Sequence, residues 1–156
     1  MKKYAFYDFE FGMLKIGYTD TAIVSFKRVD QIDDDNDHSV LSDRAFEQVR
    51  EYLKGERRRF DFPYELRGTE FQKKVWNALC RIPYGEMCTY KEIATKVGNP
   101  KASRAVGMAN NKNPLMIVVP CHRVVGSNGK LVGYAGGLGM KESLLELERC
   151  ASDQME

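Results

Sequence analysis

Three helix-start signals follow one another in the second half of the sequence, and they constrain the fold more than any other feature. Thr69 stands three residues before Gln72, and Thr89 stands three residues before Glu92. This is the spacing of a capping box, in which two residues satisfy each other's backbone amides at the start of a helix. Asn99-Pro100 then combines a capping residue with a first-turn proline, and it predicts a third helix.

The three predicted helices are short, and tight turns separate them. Apolar residues at helical spacing carry the first helix to about Arg81, and Gly98 ends the second. Helix, tight turn and helix in succession outline a helix-turn-helix. In the third helix we expect inward positions at Ala102, Ala105, Val106 and Ala109, and outward positions at Lys101, Arg104 and Met108.

A cysteine beside a histidine follows these helices. Leu115 to Val119 is an apolar, β-branched run that predicts a buried strand, and it leads into Pro120-Cys121-His122-Arg123. Ser127-Asn128-Gly129 predicts a hairpin turn. Residues 133–137 predict a glycine-rich loop against whose backbone a ligand could lie, and Glu148 stands near the end of a last predicted helix.

The first half of the chain predicts a strand meander followed by one helix. Residues 4–11 and 13–29 are rich in aromatic and β-branched residues around a Thr19-Asp20-Thr21 turn. Ser42 is placed to cap a helix that runs to about Lys54.

Charge distinguishes the two domains that we expect, residues 1–62 and residues 63–156. The first carries 11 Lys/Arg against 13 Asp/Glu, whereas the second carries 13 against 9. Between Ile93 and Lys141 the sequence has seven basic residues and no acidic one. Such a basic field suits a polyanion, although a basic face can also serve only to keep a protein in solution.

The cysteines and histidines do not predict a metal site. The four cysteines form no CxxC pair and the chain has only two histidines, which fits neither a disulfide framework nor a zinc site of usual spacing. No uncharged apolar run reaches the roughly 18 to 20 residues of a membrane span, and the N-terminus lacks a signal-peptide core. We therefore expect a cytoplasmic protein, or a nucleoid-associated one in a prokaryote, without metal or membrane contact.

Several motifs of the second half resemble the O6-alkylguanine-DNA alkyltransferases in order and spacing. They are Ile82-Pro83-Tyr84-Gly85-Glu86, Thr89-Tyr90, Gly98-Asn99-Pro100-Lys101-Ala102, Arg104-Ala105-Val106-Gly107, Ile117-Val118-Val119-Pro120-Cys121-His122-Arg123-Val124-Val125 and Gly133-Tyr134-Ala135-Gly136-Gly137-Leu138. The similarity spans about residues 66–150. It implies an α+β protein with a small ribonuclease-H-like N-terminal α/β domain and a C-terminal winged helix-turn-helix-like domain.

The resemblance also implies a reaction that these residues can support. The Cys121 thiolate would attack the carbon attached to O6 of guanine and keep the alkyl group as a thioether. Each molecule would therefore react once, without a cofactor. His122 would take the thiol proton through a water, and Glu148 would hold the imidazole in the right tautomer. O4-alkylthymine is a further expected substrate.

Other residues take their expected roles from the same resemblance. Tyr90 would protonate the departing base. Asn113 would tie the end of the recognition helix to the Cys121 loop. The wall of the base pocket would be formed by Tyr134, Ala135, Val124 and Gly136, where many relatives have serine in place of Ala135.

Base flipping is expected because O6 of guanine lies inside the duplex. Arg104 would enter the base stack from the minor groove, which is only about 6 Å wide. The further DNA contacts would come from Ala102, Ser103, Gly107, Lys101 and Tyr90. The expected partner is double-stranded DNA that contains O6-alkylguanine, bound by a monomer.

Three other classes of protein share part of this pattern. An alkyltransferase-like protein, which flags lesions without repairing them, would carry tryptophan in place of Cys121. A small winged-helix regulator would share the basic helix pair but would not need Cys121, His122 and Glu148 together. A cysteine hydrolase would use cysteine and histidine, yet the sequence supplies no recognisable oxyanion loop.

Overall fold

The computed structural model describes residues 2–153, and the chain divides into two compact units, Met1–Arg67 and Gly68–Glu156. Each unit has an apolar core of its own, with Phe26 and Tyr52 buried in the first and Trp76 in the second. Large apolar side chains removed from water in this way supply most of the driving force for folding. None of the described helices is both long enough and apolar enough to cross a bilayer.

The first unit contains an antiparallel meander of three strands, β1 (Lys3–Phe9), β2 (Gly12–Tyr18) and β3 (Ile23–Val29). β2 lies in the centre and pairs with both neighbours. Gly12 has φ of 116°, a conformation that glycine adopts at little cost, and it closes the turn from β1. The meander predicted for these residues is confirmed.

One helix, α1 (Val40–Leu53), packs against β1 and β3. Its N-cap is Ser39, so the prediction that Ser42 caps the helix is wrong. The Ser42 amide donates to Ser39 Oγ at 3.0 Å, and the Ser39 amide donates to Ser42 Oγ at 2.8 Å. Ser42 is therefore the second half of a capping box, and two serines three residues apart make the cap ambiguous in sequence.

The second unit is built mainly from four helices, α2 (Glu70–Leu79), α3 (Tyr90–Lys96), α4 (Ser103–Asn111) and α5 (Leu138–Asp153). The capping boxes predicted at Thr69 and Thr89 are confirmed. α2, α3 and α4 pack against one another, and Trp76 Nε1 of α2 donates to the Ala109 carbonyl of α4 at 2.9 Å. Two short strands, β4 (Cys88–Thr89) and β5 (Val124–Val125), pair in parallel.

The start of α4 differs from the prediction. Asn99-Pro100 does not open the helix, because this segment forms a turn in which the Ala102 amide donates to the Asn99 carbonyl at 3.0 Å. The helix begins only at Ser103, with Ala102 at a cap position that has no side-chain hydrogen bond. Its inward stripe is Val106, Ala109 and Asn110, whereas Ala105 is exposed, contrary to the prediction.

The apolar run before Cys121 is buried but is not a strand. Leu115 makes only an isolated β-bridge and residues 116–118 form a turn, across which the Val119 amide donates to the Leu115 carbonyl at 2.9 Å. Local hydrogen bonds thus replace the ladder of a strand, while burial still satisfies the apolar side chains. The hairpin predicted at residues 127–129 is also wrong: the turn forms, with Gly129 at φ 79°, but no strand follows it.

Candidate active site

The thiol of Cys121 lies at the start of a one-turn 3-10 helix, Cys121–Arg123, and the residue is 3% exposed. Asn113 Nδ2 donates to the Val119 carbonyl at 2.8 Å, and Asn113 Oδ1 accepts the Leu115 amide at 3.0 Å. Asn110 Nδ2 donates to the Cys121 carbonyl at 3.5 Å. Two side-chain amides at the end of α4 and just beyond it therefore hold the backbone of the reactive loop.

Ile117, four residues before Cys121, has φ of 74° and is the only non-glycine residue of the described chain with a positive φ. A β-branched residue rarely adopts this conformation. Backbone strain of this kind is on the order of 1–3 kcal/mol and persists only where the surroundings require it. The Ile117 side chain is 2% exposed, so its burial offsets the strain of the turn that leads into Cys121.

Glu148 of α5 is 1% exposed. Its carboxylate contacts the side chains of His122 and Arg123, the two residues that follow Cys121. His122 Nε2 lies 2.7 Å from Oε2. Arg123 forms a bidentate pair, with Nε 2.8 Å from Oε1 and Nη2 2.9 Å from Oε2. Further contacts are made by the Gly85 amide, 3.4 Å from Oε1, and by Arg123 Nη1, which donates to the Ile82 carbonyl at 2.7 Å.

This pairing determines the charge state of the buried cluster. Burial alone would raise the pKa of Glu148, but hydrogen bonds and charge from His122 and Arg123 hold that pKa well below its usual range. Burial lowers the pKa of His122; Glu148 opposes this shift, and the charges of Arg123 and Lys141 reinforce it. At neutral pH the cluster therefore holds an ionised Glu148, a charged Arg123 and an uncharged imidazole.

The Cys121 thiol is not ionised by its surroundings at rest. Burial raises the pKa of Cys121 to about 11, although a hydrogen bond with Asn113 and the charge of Lys141 act in the opposite direction. A thiolate is the nucleophilic form of cysteine, so this thiol has to lose its proton to react at neutral pH. His122, the next residue, carries a neutral imidazole that can accept that proton.

Residues 132–137, here called the base loop, lead into α5. The Tyr134 hydroxyl is buried. Burial, followed by the charges of a Cys121 thiolate and of Glu148, raises the pKa of Tyr134 well above its usual value. A Cβ at Gly136 would lie 2.7 Å from Met140 Sδ and 2.9 Å from the Tyr134 ring, so a larger residue at this position would require these side chains to shift. Ala135 is exposed, whereas Val124 of β5 is fully buried.

Tyr90, the first residue of α3, connects the base loop to α4. Its hydroxyl donates to the Val132 carbonyl at 2.9 Å. A Cβ at Gly107 would lie 3.9 Å from the Tyr90 ring, so the two helices meet at this glycine. Burial, followed by the charge of a Cys121 thiolate, raises the pKa of Tyr90.

The outer face of α4 is basic and uncovered within its unit. The outward positions predicted for Lys101, Arg104 and Met108 are confirmed, since all three residues are exposed. Ala102 and Ser103 are partly exposed beside them. Arg104 is therefore exposed between two small residues, Ser103 and Ala105.

The structure brings together Cys121, His122, Glu148 and Asn113, and it adds Arg123, Lys141 and Asn110, which sequence reasoning did not assign to the site. Arg123 and Lys141 were included only in the basic field, although each is at most 7% exposed. The signal available for Arg123 was its place within an apolar run, where a charge requires a buried partner. Within the described residues no group of three His, Cys, Asp or Glu side chains could hold a metal ion.

Two family models match the chain. The ribonuclease-like domain of 6-O-methylguanine DNA methyltransferase matches residues 2–66, and the DNA-binding domain of the same family matches residues 70–150. The methylated-DNA–protein-cysteine methyltransferase of Mycolicibacterium paratuberculosis is 47% identical over 154 residues, which cover 96% of this chain and 93% of the relative. That of Methanosarcina acetivorans is 64% identical over 104 residues, or 67% of each chain.

Solved structures agree with these matches. The Mycobacterium tuberculosis O6-methylguanine methyltransferase superimposes with a TM-score of 0.89 at 41% identity, covering 97% of this chain and 94% of that one. The M. tuberculosis OGT in complex with DNA superimposes with a TM-score of 0.86 at 42% identity, covering 95% and 93%. The similarity therefore extends over both units of the chain.

Proposed function

The chain belongs to the 6-O-methylguanine DNA methyltransferase family, and we propose that it repairs DNA by moving an alkyl group from O6 of guanine to Cys121. The observation that carries this proposal is the buried thiol beside the cluster of His122, Arg123 and Glu148. Burying such charges costs several kcal/mol per ion before compensation, which a purely structural core would avoid.

The first step is loss of the thiol proton. Because His122 Nε2 faces Glu148, the proton of Cys121 goes to Nδ1, through a bridging water. Glu148 keeps the imidazole oriented and stabilises the imidazolium that forms. Arg123 keeps Glu148 ionised, so the carboxylate orients the base without taking the proton itself.

The second step is substitution at the alkyl carbon. The electron pair of the Cys121 thiolate forms a carbon–sulfur bond, the carbon–O6 bond breaks, and its electron pair stays on the guanine. The base takes up a proton from the Tyr90 hydroxyl, and the imidazolium restores the proton of Tyr90. In total the thiol hydrogen and the alkyl group exchange places. A thioether does not hydrolyse, so each protein molecule acts once.

Tyr90 has to change partner to act as this acid. Its hydroxyl donates to the Val132 carbonyl in the free protein, and it would turn toward the flipped base when that base enters. Protonation of the leaving group avoids expulsion of a guanine anion. Tyr134, Ala135, Val124 and Gly136 wall the base pocket, and O4-alkylthymine fits the same chemistry because it presents an alkyl ether on a base.

Access to O6 depends on α4. Arg104 inserts into the base stack from the minor groove and occupies the space that the flipped nucleotide leaves. Ala102, Ser103 and Gly107 keep the helix narrow there, and Lys101 contacts the backbone. A single active site with one recognition helix is sufficient for the reaction, so the protein acts as a monomer in the compartment that holds the DNA.

A titration tests this function. Duplex DNA with one O6-methylguanine is mixed with increasing protein, and the restored guanine is counted. We expect one lesion repaired per protein molecule, no repair by Cys121→Ser, and unchanged repair by Cys150→Ser, which removes an exposed thiol. Repair of many lesions per molecule, or full activity of Cys121→Ser, would contradict the proposal.

A further inference from the structure

Lys141 of α5 has a fully buried side chain, with 0% of the residue exposed. Its Nζ donates to the Val132 carbonyl at 2.9 Å and to the Gly133 carbonyl at 3.4 Å. No carboxylate of the described residues forms an ion pair with it, whereas Arg123 has Glu148. A buried ammonium without a counter-charge is costly, so its position calls for a functional explanation.

A negative charge that can pair with Lys141 arises at Cys121 when the thiol loses its proton. Burial lowers the pKa of Lys141, and a Cys121 thiolate raises it again. Reciprocally, the charge of Lys141 lowers the pKa of Cys121 against the effect of burial. The ionisable groups that act on the thiol site are Lys141 from α5, Tyr90 from α3, Tyr134 from the base loop, and His122 with Glu148 and Arg123. Lys141 is the cation of this set without a carboxylate partner.

The Val132 carbonyl has two donors, Lys141 Nζ and the Tyr90 hydroxyl, each at 2.9 Å. If Tyr90 gives its proton to the base, its bond to Val132 is broken for that period. A loop held by Tyr90 alone would then be released when the pocket is occupied. Lys141, which bonds two consecutive carbonyls of the same turn, keeps that turn in place.

We propose that Lys141 is a positioning residue for the alkyl transfer: it anchors the Val132–Gly133 turn while Tyr90 changes partner, and it provides the counter-charge for the Cys121 thiolate. This inference rests on the proposed function, because both roles refer to the attacking thiolate and to the leaving base. Both roles are assigned to one buried ammonium, which donates to the base loop at Val132 and Gly133.

Two variants separate charge from structure. Lys141→Met removes the charge and keeps the length of the side chain, and Lys141→Arg keeps the charge. The rate of reaction of Cys121 with iodoacetamide and with free O6-benzylguanine is measured as a function of pH. We expect Lys141→Met to react about tenfold more slowly at neutral pH, with a midpoint about one pH unit higher. Lys141→Arg should keep the midpoint of the unmodified protein.

An unchanged rate and pH profile in a folded Lys141→Met would overturn the counter-charge role. Equal slowing of both variants without a shift of the midpoint would also overturn it, since that result indicates packing alone. The anchoring role has its own measurement, the backbone NMR order parameters of Val132 and Gly133. The order parameters should fall toward those of a flexible loop, below about 0.6, in Lys141→Met and change little in Tyr90→Phe; the reverse order would overturn it.

A measurement with Lys141 intact remains decisive if Lys141→Met does not fold. The pKa of Lys141 is followed by NMR of its side-chain carbon next to Nζ, in Cys121→Asp and in Cys121→Asn. We expect a higher pKa in Cys121→Asp, because the aspartate carries the negative charge that the resting thiol lacks and that asparagine cannot supply, and an equal pKa in the two variants overturns the pairing. This shift, together with no methyl transfer to Cys121 in the unmodified protein, would refute the proposed function and leave the pairing standing.

Discussion

The two units of the chain differ in whether their charged side chains are exposed or buried. In the first unit the ion pairs are at the surface, as in Arg44–Asp61, with side chains 48% and 66% exposed. Its buried polar residues are the uncharged Ser25, Ser42 and Gln48. In the second unit charged or ionisable side chains are buried to 7% exposure or less, namely His122, Arg123, Lys141 and Glu148.

This difference indicates where folding and function compete. A unit that only needs to fold gains little from buried ions, because hydrophobic residues of similar volume would serve as well or better. The second unit nevertheless buries four such groups around one cysteine. The arrangement is explained if their purpose is to move a proton and hold a charge during alkyl transfer. Substitutions of buried and exposed charges should therefore have very different consequences.

The largest effect is expected for Glu148→Gln. This change leaves Arg123 buried without its carboxylate partner, so the free energy of unfolding should fall by about 3–5 kcal/mol, and alkyl transfer should become much slower. Denaturant unfolding and single-turnover repair assays measure the two effects. The matched control is Glu146→Gln. Glu146 lies two residues earlier on α5 and pairs at the surface with Arg149, so its substitution should change neither the free energy of unfolding nor the rate of alkyl transfer. Equal losses of stability and activity in the two variants would contradict the proposed difference between buried and exposed charges.

Arg104→Ala should affect function without affecting stability. We expect repair in duplex DNA to slow by about 10- to 100-fold, the equivalent of a few kcal/mol for holding a base out of the stack. Reaction with free O6-benzylguanine should be unchanged, because the free base needs no flipping. Arg59→Ala, an exposed arginine of the first unit, is the control of equal charge change. Equal slowing with both substrates would show that Arg104 acts on the active site instead.

Acid should destabilise the second unit before it protonates ordinary carboxylates. The pKa of His122 is lowered in the folded protein, so below about 6.5 the unfolded chain takes up a proton that the folded chain does not. The free energy of unfolding should therefore decrease as the pH falls from 7 to 5. This decrease should be smaller than the one that the substitution Glu148→Gln causes at neutral pH. Below about 4.3, loss of the stability provided by the depressed pKa of Glu148 should add to the decrease. Equal unfolding free energies at pH 7 and pH 5 would contradict this account of His122.

The smallest effect is expected for Ala135→Ser. Ala135 is exposed on the base loop, so a hydroxyl added to its side chain can be hydrated without displacing a neighbour. The rate with free O6-benzylguanine should stay within about twofold of the original, which is less than 0.5 kcal/mol. A change of tenfold or more in either direction would mean that the side chain itself contacts the substrate.

Complete capping boxes predicted helix starts correctly, whereas the single capping residues Ser42 and Asn99 did not. The reciprocal pairs Thr69 with Gln72 and Thr89 with Glu92 place two helix starts correctly because a capping box is complete within four residues. The prediction for residues 115–119 was wrong for the opposite reason. Apolar, β-branched residues indicate burial, but they do not determine whether the backbone bonds to a neighbouring strand or to itself.

The candidate site was predicted in part for a related reason. Cys121 and His122 are neighbours in sequence, and the motif resemblance supplied Glu148. Arg123 and Lys141 could be recognised in sequence as cations, but their burial depends on how α5 packs beside the reactive loop. A charge that contributes to a basic field in sequence can therefore be a member of the catalytic core in space.

The most direct test of the account is to find the alkyl group. The protein is incubated with duplex DNA that carries O6-methylguanine, and its peptides are mapped by mass spectrometry while the DNA is analysed for restored guanine. The account predicts one added methylene, located on Cys121, together with an equal amount of unmodified guanine. An unmodified protein bound to unrepaired DNA, or a methyl group on Cys80, Cys88 or Cys150, would contradict it.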